Sequence, residues 1–160
     1  MAAQVGSKIP ACSTLRVMGE KGPQPVTTDE LFAGKKVVLF AVPGAFTPGC
    51  SNTHLPGFVV NADKIKAKGI ASIICVSVND AFVMGAWGKG QNAEHLVMLA
   101  DGSGELAKAL GMELDLTDKG MGVRWKRLAM IVDNGTITHL AIEPPGGIVA
   151  SSAEAILGVL

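Results

Sequence analysis

Six consecutive apolar residues, Val37-Val-Leu-Phe-Ala-Val42, constrain this chain more than any other feature. A strand that meets water on one face alternates apolar with polar residues. An unbroken run containing β-branched residues is instead read as a strand covered on both faces, and such strands belong to parallel or mixed sheets with helices on either side. The residues after the run are just as informative. Pro43, Gly44, Pro48 and Gly49 interrupt any regular pattern, and Cys50 comes next. The reading is strand, loop, then helix, with a cysteine in the first helical turn.

Other segments extend this pattern. Ala71–Val78 reads as a second buried strand, and Leu96–Ala100 as a third. Helices are predicted between them, from about Cys50 to Lys68, from Asp80 to Trp87 and from Gly104 to Leu110. Pro56 and Gly57 predict a kink or an irregular first part in the first of these. Thr27-Thr-Asp-Glu30 has capping-box spacing ahead of a short helix. Leu128–Val132 and Thr136–Ile142 flank Asn134-Gly135, a strong hairpin signal. A last helix, Ser151–Leu160, is predicted with Ser151 and Glu154 as its capping box. Strands alternating with helices, then a hairpin and a final helix, predict an α/β fold with a central mixed sheet flanked by helices. No repeat or linker divides the 160 residues, so residues 1–160 are read as a single domain.

Composition narrows the function. Lys plus Arg and Asp plus Glu number 14 each, which leaves no net charge to draw the whole surface to nucleic acid or an anionic membrane. No apolar run is long enough to span a bilayer. The first twenty residues show neither a charged segment leading into an apolar core nor an Arg-rich amphipathic stretch. A cytoplasmic location is the expectation, and a presequence already removed would leave no trace. Three cysteines, Cys12, Cys50 and Cys75, do not make a disulfide framework, and no Cys/His cluster has zinc spacing. No bound metal, haem, flavin or other cofactor is expected.

The chemistry therefore centres on Cys50. Free backbone N–H groups and the positive end of the helix dipole favour a thiolate at that position, and the thiolate is the nucleophile. In Thr47-Pro-Gly-Cys50 a threonine stands where a thioredoxin-type dithiol would have its other cysteine. Its hydroxyl cannot close a disulfide but can donate a hydrogen bond to the thiolate or to a peroxide oxygen. That combination points to sulfenate chemistry. His54, four residues after Cys50, shares its helix face and is read as hydrogen-bonding support. Cys75 reads as a core thiol, Cys12 as incidental, and Arg124 and Lys126 as solvated charges. Trp87, Phe46 and Phe82 read as core.

These residues carry a resemblance. Pro43, Thr47 and Cys50 match the PxxxTxxC motif of peroxiredoxins. VPGAFTPGCSNTHLPGF, ICVSVNDAFVMGAWGKG, LADGSGELAKALGMELDL and KRLAMIVDNG, in that order, resemble the type II, peroxiredoxin-5-like subfamily along nearly the whole chain. The resemblance implies a thioredoxin-like fold, a peroxidatic Cys50, a hydrogen bond from Thr47, shielding by Pro43 and a cation at Arg127. It implies antioxidant reduction of hydrogen peroxide and organic hydroperoxides, and a homodimer. A C-terminal resolving cysteine is absent, since Gly146–Ser152 contains none. Plant-like members place a second cysteine where Cys75 stands. A Cys50–Cys75 disulfide needs Cα atoms about 4.4–6.8 Å apart, and is not expected without local unfolding. Recycling by an external thiol, whether glutaredoxin, glutathione or thioredoxin, is the expectation. The alternative is a redox sensor that uses the same cysteine without sustained turnover.

Overall fold

The computed structural model describes residues 2–160. The predicted apolar run is β3 (Lys36–Ala41), and it lies inside a seven-stranded sheet. In chain order the elements before it are β1 (Arg16–Gly19), β2 (Gly22–Pro25) and α1 (Thr28–Phe32). After it come a π-helical turn (Cys50–His54), α2 (Leu55–Lys66), β4 (Ser72–Ser77), α3 (Ala81–Gly90), β5 (Val97–Ala100) and α4 (Glu105–Ala109). The chain continues through β6 (Glu113–Leu116), β7 (Gly122–Trp125), β8 (Leu128–Asp133), β9 (Thr136–Ile142) and α5 (Ala153–Leu157).

The strand order is β2-β1-β5-β4-β3-β8-β9, with β6 and β7 paired separately. β3, β4 and β5 run parallel, while β8 and β9 add antiparallel strands on one side and β1 and β2 on the other. This is the mixed sheet of a thioredoxin-like α/β fold. Alternate residues of β3 serve opposite layers. Val38 and Phe40 join Leu55, Phe58, Ile65, Met84, Trp87 and Ile156 in one core, under α2, α3 and α5. Val37, Leu39 and Ala41 join Leu31, Phe32, Leu106, Leu110 and Trp125 in the other. Burial on both faces explains why the run carries no polar residue.

Local signals set several boundaries. Thr27 and Glu30 form both halves of the capping box at α1. Asn134 (φ 48°) and Gly135 (φ 81°) both adopt the left-handed conformation that a tight hairpin between β8 and β9 demands. The helix after Cys50 has the expected irregular first part, the π-helical turn Cys50–His54, while Pro56 itself sits in the first turn of α2, where its missing N–H is harmless. Other expectations need correction. The cap of α5 is Ser152, which accepts from the amide of Ala155; Ser151 is buried and bonded elsewhere. β1, β2, β6 and β7 are additions to the expected elements.

Candidate active site

The site stands where β3 ends, at the edge of the layer covered by α2 and α3. Pro43–Thr47 form a loop tied down from several sides. The amide of Ala45 donates to Asn79 Oδ1 at 2.9 Å, and the Ser77 hydroxyl donates to the same oxygen at 2.6 Å. Arg124 spans the gap from β7, donating from Nη1 to the Pro43 carbonyl at 3.3 Å and from Nε to the Met121 carbonyl at 2.8 Å. A Cβ on Gly44 would lie 3.0 Å from Arg124 Nη1 and 3.2 Å from Thr47 Cγ2, so glycine permits this close approach.

The helix begins with Thr47, whose carbonyl accepts from the amide of Ser51 at 2.9 Å. It widens at once into the π-turn, closed by a bond from the Leu55 amide to the Cys50 carbonyl. Such turns are uncommon and occur frequently at functional sites. Cys50 is buried there, against the core that holds Phe40 and Phe58.

Arg127 reaches this sulfur from the start of β8. Its Nη2 donates to Cys50 Sγ at 3.1 Å, across 77 residues of sequence. Its Nη1 lies 2.9 Å from His54 Nδ1, and His54 Nε2 lies 2.8 Å from the Ser151 carbonyl. His54 is 1 % exposed. Burial, with a smaller contribution from the neighbouring Arg127 charge, pushes its pKa down to about 4 against the opposing pull of the Ser151 carbonyl. A Cβ on Gly49 would meet Ile148 Cδ1 at 3.2 Å and Arg127 Nη2 at 3.3 Å, so the guanidinium is walled in where it faces the sulfur.

The structure sorts the residues singled out from the sequence. Cys50, Arg127 and His54 form one continuous contact chain. Pro43 is half-buried at the entrance of the loop and engages Arg124 through its carbonyl. Thr47 lies in the same loop, but its hydroxyl donates to the Gly44 carbonyl at 2.6 Å, not to the sulfur. Its one proton is committed to that carbonyl. Cys75 is fully buried in mid-strand and carries no disulfide. Arg124 is no solvated charge, since it braces the loop. Trp87 is core and donates to Ser51 Oγ at 3.0 Å, whereas Phe46 and Phe82 are exposed, at 62 % and 65 %. Asn79, Ser51 and Glu143 have no local signal in the sequence. Among the described residues no cluster of His, Cys, Asp and Glu has the makings of a metal site.

Comparison with known proteins agrees with this architecture. The Redoxin family model matches residues 4–157. Peroxiredoxin-2D of Arabidopsis thaliana is 54 % identical over 138 residues, 86 % of this chain and 85 % of that protein. The chain belongs to the peroxiredoxin family. It is, like its relatives, a thiol-dependent peroxidase. The reduced Prx3 of Vibrio vulnificus, solved in complex with hydrogen peroxide, superposes on this peroxiredoxin with a TM-score of 0.94 at 53 % identity, covering 99 % of each chain. The chloroplastic peroxiredoxin-2E of Arabidopsis thaliana is 49 % identical over 161 residues, 98 % of this chain and 68 % of its own length. Membership of the family therefore does not select the cytoplasm. No helix among the described residues is long and apolar enough to cross a membrane.

Proposed function

We propose that Cys50 is the peroxidatic residue, with Arg127 as its charge partner and an external thiol as the reductant. The observation that carries this is the 3.1 Å contact between Arg127 Nη2 and Cys50 Sγ in a buried, helix-initiating turn. A fixed cation there favours the thiolate over the thiol.

In the oxidative step the thiolate attacks one oxygen of the hydroperoxide. An S–O bond forms, the O–O bond breaks, and sulfur loses two electrons. The departing oxygen takes a proton and leaves as water or an alcohol, and Cys50 becomes a sulfenic acid. Negative charge moves from sulfur to the leaving oxygen, and Arg127 stands where it can stabilise that charge throughout. A donor thiol then attacks the sulfenic sulfur and releases water, giving a mixed disulfide. A second donor thiol attacks that disulfide, restoring Cys50 and leaving the donor oxidised.

Pro43 and Thr47 have supporting roles in this reading. Pro43 walls the sulfur off from bulk water, and Thr47 shapes the loop and presents its hydroxyl to the bound peroxide. The absence of a cysteine in Gly146–Ser152 and the deep burial of Cys75 support recycling by glutathione, glutaredoxin or thioredoxin over an internal disulfide. The exposed Phe46 of the loop and Phe82 of α3 support assembly as a homodimer.

Turnover tests the reading. Given excess hydrogen peroxide, the protein should consume many equivalents with at least one of glutathione, glutathione plus glutaredoxin, or thioredoxin. Cys50→Ser should stay folded and lose turnover, because a serine hydroxyl is not ionised at neutral pH. Consumption stopping at about one equivalent with every donor would make the protein a sensor, and an active Cys50→Ser would overturn the assignment.

A further inference from the structure

The loop after β9 is closed on itself by Glu143. Its Oε2 accepts from the amide of Ser151 at 2.7 Å and from the Ser151 hydroxyl at 2.7 Å. Loss of water alone would raise this carboxyl. The Ser151 amide and hydroxyl, with the amides of Ala150 and Val149, outweigh that and hold it below the usual carboxylate range. The amide of Glu143 also donates to the Arg127 carbonyl at 2.9 Å. Glu143 therefore touches the backbone of the arginine and fixes the loop beneath it, without reaching the sulfur.

Fixing Ser151 has a chemical consequence. Its carbonyl lies 2.8 Å from His54 Nε2, and a carbonyl only accepts, so Nε2 carries the hydrogen. Arg127 Nη1 lies 2.9 Å from His54 Nδ1, and a guanidinium only donates, so Nδ1 is bare. Two partners of fixed polarity leave one tautomer. The remaining face of the guanidinium, Nη2, points to Cys50.

We propose that Glu143 is a positioning residue of the peroxidase site: by clamping Ser151 it holds His54 as the Nε2–H tautomer, and His54 in turn aims Arg127 at Cys50. The inference rests on Cys50 and Arg127 being the reacting pair. Four bonds in series link a carboxylate to a sulfur it never contacts. In Glu143→Gln the size is kept, but an amide NH2 replaces an oxygen amid a set of donors. Ser151 then loses its fixed place, and the ring of His54 loses the partner that dictates its protonation.

Nitrogen-15 NMR of labelled histidine reads the tautomer directly. In the wild-type protein His54 should be protonated on Nε2 alone and stay neutral down to about pH 4. In Glu143→Gln the His54 signals should shift toward a mixture of tautomers. The pH profile of Cys50 alkylation should move to higher pH, and the reaction with peroxide should slow about ten-fold. The step with the donor thiol should keep its rate. Ser151→Ala, which removes the hydroxyl donor to Glu143 and leaves the amides, should shift the same readouts the same way by a smaller factor, and it carries the test if Glu143→Gln does not fold. A lower melting temperature with wild-type tautomer, alkylation profile and peroxide rate would make Glu143 a structural tether and overturn the proposal, as would Nδ1 protonation of His54 in the wild-type chain. The Cys50→Ser turnover assay fails or succeeds independently of the tautomer, so the two readings can be lost separately.

Discussion

Cys50 and Cys75 occupy the same apolar cluster, and both are completely shielded from solvent. Cys75 sits in the middle of β4, paired with Phe40 of β3 and Met98 of β5. Its backbone is spent on the sheet ladder, and no hydrogen bond reaches its sulfur among the described residues. Burial pushes the Cys75 thiol well up, nearby Cys50 adds to this, and Arg127 offsets it only in part. Cys50 differs in two respects. It lies in a helical first turn whose amides are not committed to a ladder, and a guanidinium contacts its sulfur. Shielding alone silences a thiol; on the proposed reading, the cation in contact makes the shielded Cys50 a nucleophile away from competing water. Cys12, pushed up to about 11 by burial and then by Glu105 and Asp101, belongs with Cys75.

The sharpest way to break this contrast is competitive labelling of the native protein. A small alkylating reagent at neutral pH should modify Cys50 at least about 100-fold faster than Cys75, read by peptide mass spectrometry. Equal rates would show that the turn and the arginine do not distinguish the two thiols. Arg127→Gln should erode the contrast next. Loss of a preorganised donor costs about 2.7–4 kcal/mol at a transition state, so the peroxide reaction should slow by roughly 100- to 1,000-fold. Part of the loss should persist at high pH, where the thiolate is fully formed, and Cys75 labelling should not change. Full recovery at high pH would reduce Arg127 to an activator of the thiol. The smallest effect belongs to Thr47→Val. Losing the bond to the Gly44 carbonyl should destabilise the loop by about 1 kcal/mol and slow oxidation by about ten-fold. Thr47→Ser should stay near the wild-type rate in stopped-flow measurements, and equality of all three would remove the hydroxyl from the mechanism.

The range of the forces involved decides which parts of the molecule can be read from its sequence. The capping box at Thr27 and the Asn134-Gly135 turn are decided within four residues, and the structure reproduces both. The two-sided burial of β3 is legible because it leaves no room for a polar residue. β1 and β2 are invisible, being four residues each with no fully buried residue, and β2, at the edge of the sheet, consists of Gly22-Pro-Gln-Pro25. β6 alternates charge with leucine over four residues, too short to establish a period. The cap of α5 reads one residue early because Ser151 and Ser152 are equally good caps, and only Glu143, far outside the local window, claims the first of them. The contact of Arg127 with Cys50 spans 77 residues, and no local rule reaches that far; the family resemblance points to it.

The bond from the Trp87 indole to Ser51 Oγ has an optical consequence. The chain has two tryptophans and no tyrosine, so its ultraviolet emission comes from two indoles in unlike settings. Trp125 is buried on the far layer, with its N–H on Asp101 Oδ2 at 3.0 Å. Trp87 is joined to the residue directly after Cys50. Any rearrangement of the π-turn during oxidation or reduction changes the polarity and quenching around that indole, while Trp125 supplies a steady background. Replacing Trp125 by phenylalanine would leave a single intrinsic fluorophore beside the Cys50 turn, able, on the proposed mechanism, to follow each half of the cycle without an added dye.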